Sequence, residues 1–320
     1  MPRILVAVVA FACPAFALAQ GSFPSRPVSM VIGFAPGGGA DIAARIIVKK
    51  LSENIGQSII VENRPGAGGQ IAATAVAKAA PDGYTIYLAN VGVLAVAPHL
   101  VSSLPFNPER DFAPITMAVV LDNVLVVHPS VAARTLAEYI AEANKRPGGM
   151  PYGSSGIGGA GHLAGELLKL MAKANLVHVP YKGGGPAMSD VLGGQIPSLI
   201  TTAGTAAPHV RAGKVRALAT TGSKRSTFYP DVPPVAEAGY PGFEAVNWYA
   251  YVAPANTPRE IVERWNREIV KALTTQETRE QLLANGMEPS PSTPEELART
   301  IARELAVWGR VVKEAGIKAE

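Results

Sequence analysis

Short apolar runs alternate with amphipathic segments along this chain, and Gly-rich turns join them. Val28 to Phe34 reads as a buried strand and Ala35 to Gly39 as a turn. Ala40 to Glu53 follows, with Ile42, Ala43, Ile46, Ile47 and Leu51 at helical spacing. The unit returns at once: strand Ser58 to Val61, turn Asn63 to Gly69, helix Ile71 to Ala79, stopped by Pro81-Asp82-Gly83. Tyr84 to Ala89 is a third strand. A second series starts near residue 115. Ile115 to Leu121 and Val124 to Val127 read as strands, and Thr135 to Lys145 as a helix opened by a Thr135/Glu138 capping box. Met150 to Gly153, a turn over Ser154 to Gly161 and a helix His162 to Lys173 continue the alternation, which runs on to Thr220. An aromatic strand, Trp248 to Val252, and helices near 258–273, 275–284 and 294–315 complete the pattern. Strands alternating with helices through short loops pack as parallel sheets covered on both faces. Two series imply two α/β lobes, with crossovers near Val119–Asn123 and Thr220–Lys224, so that one lobe is discontinuous.

The chain's 320 residues suit two domains of about 150 residues each. With 48% hydrophobic and 17% charged residues it is not a disordered chain. The 32 glycines and 27 prolines have no fixed period and speak for many tight turns. The net charge is +4, without a run of five basic residues, which argues against nucleic acid as a partner.

Residues Met1 to Ala19 read as a secretory signal. Arg3 is the basic region, Ile4 to Ala12 the apolar run, and Ala17-Leu18-Ala19 the small-x-small site, with cleavage after Ala19. The run is too short for a membrane span, which needs about 20 apolar residues. The one cysteine, Cys13, lies in this segment, so disulfides, thiol catalysis and Cys-zinc sites are excluded from the mature chain. The expected location is the periplasm.

Four turns follow strands and precede helices: Pro36 to Gly39, Pro65 to Gly69, Ser154 to Gly159, and Lys182 to Gly185. In open sheets ligands sit at the carboxyl ends of strands, where helix N-termini present unpaired N–H groups. Glycines let those amides approach closely. Amides without an arginine cluster suit a small anion such as a carboxylate. Asp41 is the one acid beside such a turn, and its plainer role is to bind amides of the first helical turn.

Enzyme signatures are missing. Gly156 to Gly161 matches G-x-G-x-x-G, but Leu176 to Tyr181 supplies no acid for a dinucleotide. Gly153 to Gly156 is not a nucleophile elbow. The histidines at 99, 128, 162, 178 and 209 are scattered, without a metal-binding pair, and no nucleophile–base pair can be assembled. No cofactor and no metal is expected. Trp248, Tyr249 and Tyr251 cluster on one strand, as core or as a pocket wall.

Phe34-Ala35-Pro36-Gly37-Gly38-Gly39-Ala40-Asp41 with Ala44-Arg45 resembles the Bug-type, TctC-like solute-binding receptors of tripartite tricarboxylate transporters. So do Val61 to Gly69, Pro81 to Thr85, Val179 to Gly183, Gly193-Gly194-Gln195 and Ala253 to Pro258. The resemblance implies an α/β, two-lobed periplasmic binding protein of type II, each lobe a mostly parallel sheet flanked by helices. Lobe 1 would be 20–121 plus about 225–290, lobe 2 would be 122–224, and the C-terminal helix, about 293–316, would pack back across both. It implies a monomeric receptor, not an enzyme, that captures a small carboxylate and delivers it to membrane permease subunits. The first loop (Phe34, Ala35, Gly37, Gly38, Gly39, Asp41) and the second-lobe loop (Ser154, Ser155, Gly156, Gly158) would grip the proximal carboxylate, with Tyr181 and Lys182 nearby. Thr202, Ala203 and Trp248 would touch the variable end. The 201–207 wall holds only Thr, Ala and Gly, which offers no acidic partner for an amino group. The alternative is a periplasmic hydrolase or isomerase on a similar frame.

Overall fold

The computed structural model describes residues 23–315, and the signal reading of Met1 to Ala19 lies outside them. Among the described residues no helix is long and apolar enough to cross a membrane.

In chain order the elements are β1 (Val28–Ile32), α1 (Gly39–Ile55), β2 (Ile59–Asn63), α2 (Gln70–Ala77), β3 (Thr85–Asn90), α3 (Ala97–Leu100), β4 (Phe112–Leu121) and β5 (Asn123–Val127). There follow α4 (Leu136–Lys145), β6 (Met150–Ser154), α5 (Ala160–Ala172), β7 (Leu176–Pro180), α6 (Gly184–Leu192), β8 (Ser198–Thr202), α7 (Ala203–Arg211) and β9 (Arg216–Thr220). The last are β10 (Asn247–Pro254), α8 (Arg259–Thr274), α9 (Gln276–Leu283), β11 (Met287–Pro289) and α10 (Pro294–Ala315).

They form two sheets, ordered β11-β4-β10-β3-β1-β2 and β7-β6-β8-β5-β9. Most strands of each sheet run one way, but the pairing is mixed rather than parallel throughout. β10 lies antiparallel between β3 and β4, and β5 lies antiparallel between β8 and β9. The reason is connectivity. The chain leaves the first sheet through β4, enters the second through β5 after the single residue Asp122, and comes back from β9 to β10. Thr221 ties these passages together. Its N–H donates to the Asn123 carbonyl, its hydroxyl oxygen accepts from the Asn123 N–H, and its carbonyl accepts from the Ala245 N–H.

Both faces of each central strand are buried, hence the nearly unbroken apolar runs in the sequence. On β1, Val28, Met30 and Ile32 pack with Ala43, Ile47 and Leu51 of α1, whereas Val31 faces the opposite core. On β10 the alternation sends Tyr249, Tyr251 and Ala253 to one side and Trp248, Ala250 and Val252 to the other. The capping of α4 departs slightly from the expected box. Thr135 Oγ1 accepts from the Glu138 N–H at 3.2 Å, but the Glu138 carboxylate accepts from the Arg134 N–H rather than that of Thr135. A π-helical stretch, Gly92–Val96, with α3 and the short strand β11, carried no clear periodicity in the sequence.

Candidate functional site

A narrow cavity of about 20 Å³ lies between the two sheets, lined from both. Gly38, Gly39 and Ala40 bring the start of α1 to it, Ala160 and Gly161 the start of α5, Gly184 the start of α6, and Thr202 the residue before α7. None of these four helices has a side-chain cap at its N-terminus. The N-termini of α1, α5 and α6 therefore bring N–H groups and the positive ends of their dipoles to one small space, whereas the first amide of α7, Ala203, already donates to the Asp122 carbonyl at 3.1 Å. None of the lining side chains is charged. The walls are Phe34, Ile200 and Tyr249, with the polar groups of Asn90, Asn123, Ser155, Thr201, Thr202 and Asn247.

The first loop is built around Asp41. Its carboxylate accepts from the Gly37 N–H at 3.1 Å, from Arg45 Nε at 3.0 Å and from Asn63 Nδ2 at 3.1 Å. Asn63 Nδ2 also donates to the Phe34 carbonyl at 2.9 Å. Burial pushes the Asp41 pKa up, but Arg45, the Gly37 amide and Asn63 together hold it below the usual carboxylate value. Asp41 and Gly37 thus shape the loop rather than line the cavity.

The third loop is held by a pair that sequence reasoning missed. Ser154 Oγ and His178 Nε2 are 2.7 Å apart, both buried, on the adjacent parallel strands β6 and β7. A serine and a histidine at this distance resemble a nucleophile and its base. However, Ser154 does not line the cavity, and its hydroxyl is already engaged with the N–H and carbonyl of Gly156. Burial, with His162 stacked on the ring at 4.1 Å, pushes the His178 pKa down to about 3, which makes it a poor proton acceptor at neutral pH. The pair fixes the backbone of the loop. Two residues beyond Gly156, Gly158 donates its N–H to His162 Nδ1 at 3.1 Å.

The four Gly-rich turns meet in pairs across the cleft. Ala35 donates its N–H to the Lys182 carbonyl at 3.0 Å. A methyl group on Gly185 would stand 2.6 Å from the Pro36 oxygen, and one on Gly68 would collide with the Ile157 carbonyl. These glycines permit backbone-to-backbone approach between the lobes.

Of the residues expected to touch a ligand, Phe34, Gly38, Gly39, Ser155 and Thr202 line the cavity. Ala35, Gly37, Asp41, Ser154, Gly156, Gly158 and Ala203 do not, but most of them support the surrounding loops. Tyr181 turns its hydroxyl to Asp190 at 2.7 Å, and Lys182 is exposed. Trp248 is misplaced by the sequence reading. The pleat of β10 turns it away, toward Trp308 and Val307 of α10, and turns Asn247 and Tyr249 to the cavity instead. Asn90, Asn123 and Asn247, each at a strand end, were not anticipated. Their signal was a lone asparagine bordering an apolar run.

The profile of the tripartite tricarboxylate transporter family receptor, TctC, matches residues 43–317. Protein BugT of Bordetella pertussis is 38% identical over 316 residues, 98% of this chain and 96% of its own. A solved R. palustris protein with adipate superimposes with a TM-score of 0.89 at 36% identity, covering 92% of this chain and 99% of its own. MatC from Rhodopseudomonas palustris, with bound malate, gives 0.87 at 33% identity, covering 91% and 100%. The order of the Gly-rich turns, the two-sheet fold and the matched length agree: this chain belongs to the receptor family of the tripartite tricarboxylate transporters.

Proposed function

We propose that this receptor closes two lobes over a small carboxylate in the periplasm and hands it, as a monomer, to the permease subunits of its transporter. The observation that carries the reading is the convergence of three helix N-termini without side-chain caps, those of α1, α5 and α6, on one uncharged cavity. Such a site stabilises a negative group through amides and dipoles without a counter-ion. Two relatives above 30% identity hold adipate and malate, which supports a carboxylate as cargo. The first lobe comprises residues 20–121 and about 225–290, and the second 122–224. The C-terminal helix, about 293–316, packs back across both, and residues 1–19 are removed on export. The residues gripping the cargo are Gly38, Gly39, Ser155 and Thr202, with Phe34 against its apolar part.

A thermal-shift screen over mono- and dicarboxylates tests the reading. A cargo at 100 times its Kd adds about 2.7 kcal/mol and raises the melting temperature. The carboxamide of the same acid binds far worse. Equal binding of acid and amide would overturn the proposal.

A further inference from the structure

Two side-chain amides at the cavity each carry a buried atom without a hydrogen-bond partner among the described residues. Asn123 opens β5 and Asn247 opens β10, so both stand where the chain passes between sheets. Both line the cavity, and they are only 1% and 4% exposed. Asn123 Nδ2 and Asn247 Oδ1 have no hydrogen-bond partner among the described residues. The backbone at both positions is fixed. The Asn123 backbone is tied on both sides to Thr221, and Asn247 is paired within the β10–β4 ladder. Asn90, by contrast, is engaged: its Oδ1 accepts from the Val93 N–H at 3.1 Å.

The cavity thus offers a cargo one buried donor and one buried acceptor, and an unmet group of either kind is costly. The chemistry of the second group on the cargo follows by elimination. A second carboxylate could accept from Asn123 but would press negative charge on the Asn247 carbonyl oxygen. An ammonium could donate to Asn247 but would find no anion, because no lining side chain is charged. An alkyl end would leave both atoms unmet. A hydroxyl oxygen accepts from one and donates to the other. We infer that the cargo is a hydroxycarboxylate, its carboxylate at the helix N-termini and its hydroxyl between Asn123 Nδ2 and Asn247 Oδ1. This rests on the carboxylate reading and narrows it.

Isothermal titration with matched acids tests the inference: lactate against propionate, 3-hydroxybutyrate against butyrate, malate against succinate. The expected result is that a hydroxylated acid binds at least tenfold tighter than its deoxy partner. In Asn247→Leu and Asn123→Leu the two members of that pair bind alike. If a variant does not fold, the comparison in the unaltered protein decides alone. If carboxylates bind but no hydroxy acid is preferred, the inference falls and the receptor reading stands. If no carboxylate binds, both fall.

Discussion

The amide of Ala35 reaches across the cleft to the carbonyl of Lys182 at 3.0 Å, joining the two lobes through backbone alone. This bond stands beside the contact of Pro36 with Gly185, and together they bring the loop before α1 against the start of α6.

Gly185→Ala tests that contact. The residue lies in the first turn of α6, where alanine is the better helix former by up to about 1 kcal/mol. Its methyl group, 2.6 Å from the Pro36 oxygen, would hold the lobes apart. The variant should fold with undiminished stability, bind cargo at least about tenfold more weakly, and show less compaction in small-angle scattering with saturating cargo. Unchanged affinity would remove this contact from the closing mechanism.

Tyr249 and Trp248 give a paired test of which face of β10 meets the cargo. Tyr249→Phe removes a hydroxyl at the cavity and should cost about 1 kcal/mol of binding, a several-fold rise in Kd. Trp248→Phe should leave Kd unchanged, since its ring packs toward α10. Titration calorimetry giving the reverse order would restore Trp248 to the site.

His178 sets an acid limit on stability. The unfolded imidazole takes a proton near 6.5, whereas burial delays this to about 3 in the folded protein. Between these values the unfolded state binds more protons, so stability falls as pH falls below 6.5 and is unaffected above it. The slope approaches about 1.4 kcal/mol per pH unit, or about 2 kcal/mol lost by pH 5. Denaturant unfolding at pH 7 and pH 5 should show a smaller loss in His178→Gln than in the unaltered protein. Equal losses would mean that His178 takes up its proton without unfolding.

Asp41 operates in a lower window. Its folded pKa is held below 3.8, so its contribution is present above that value and lost as pH falls through the folded one. Asp41→Asn should cost about 1–2 kcal/mol at pH 7, the Arg45 partner being half-exposed and screened. It should also speed exchange of the Gly37 amide proton. A protected Gly37 amide in the variant would show that the loop holds its shape without the carboxylate.

The four Gly-rich turns were legible because glycine runs between an apolar run and an amphipathic one have few other uses. That they meet in pairs was not, since Ala35 and Lys182 are distant in sequence and joined only by the fold. The face of β10 was illegible for another reason. Every residue of that strand is buried, so period-two alternation is present but carries no polarity to say which side is which. The Ser154–His178 pair depended on the register of β6 with β7, which sets Tyr152 opposite His178 and Ser154 opposite Pro180. Asn123 and Asn247 gave almost no signal, because an asparagine at a strand end usually serves a turn.

Glycine contacts have a thermodynamic signature of their own. Residues without side chains have no rotamers to freeze, so lobes that meet through Pro36–Gly185 and Gly68–Ile157 lose little side-chain entropy on meeting. Bringing these loops together over a cargo therefore costs little side-chain entropy. The free energy that drives closure must then come chiefly from the cargo itself at the cavity wall.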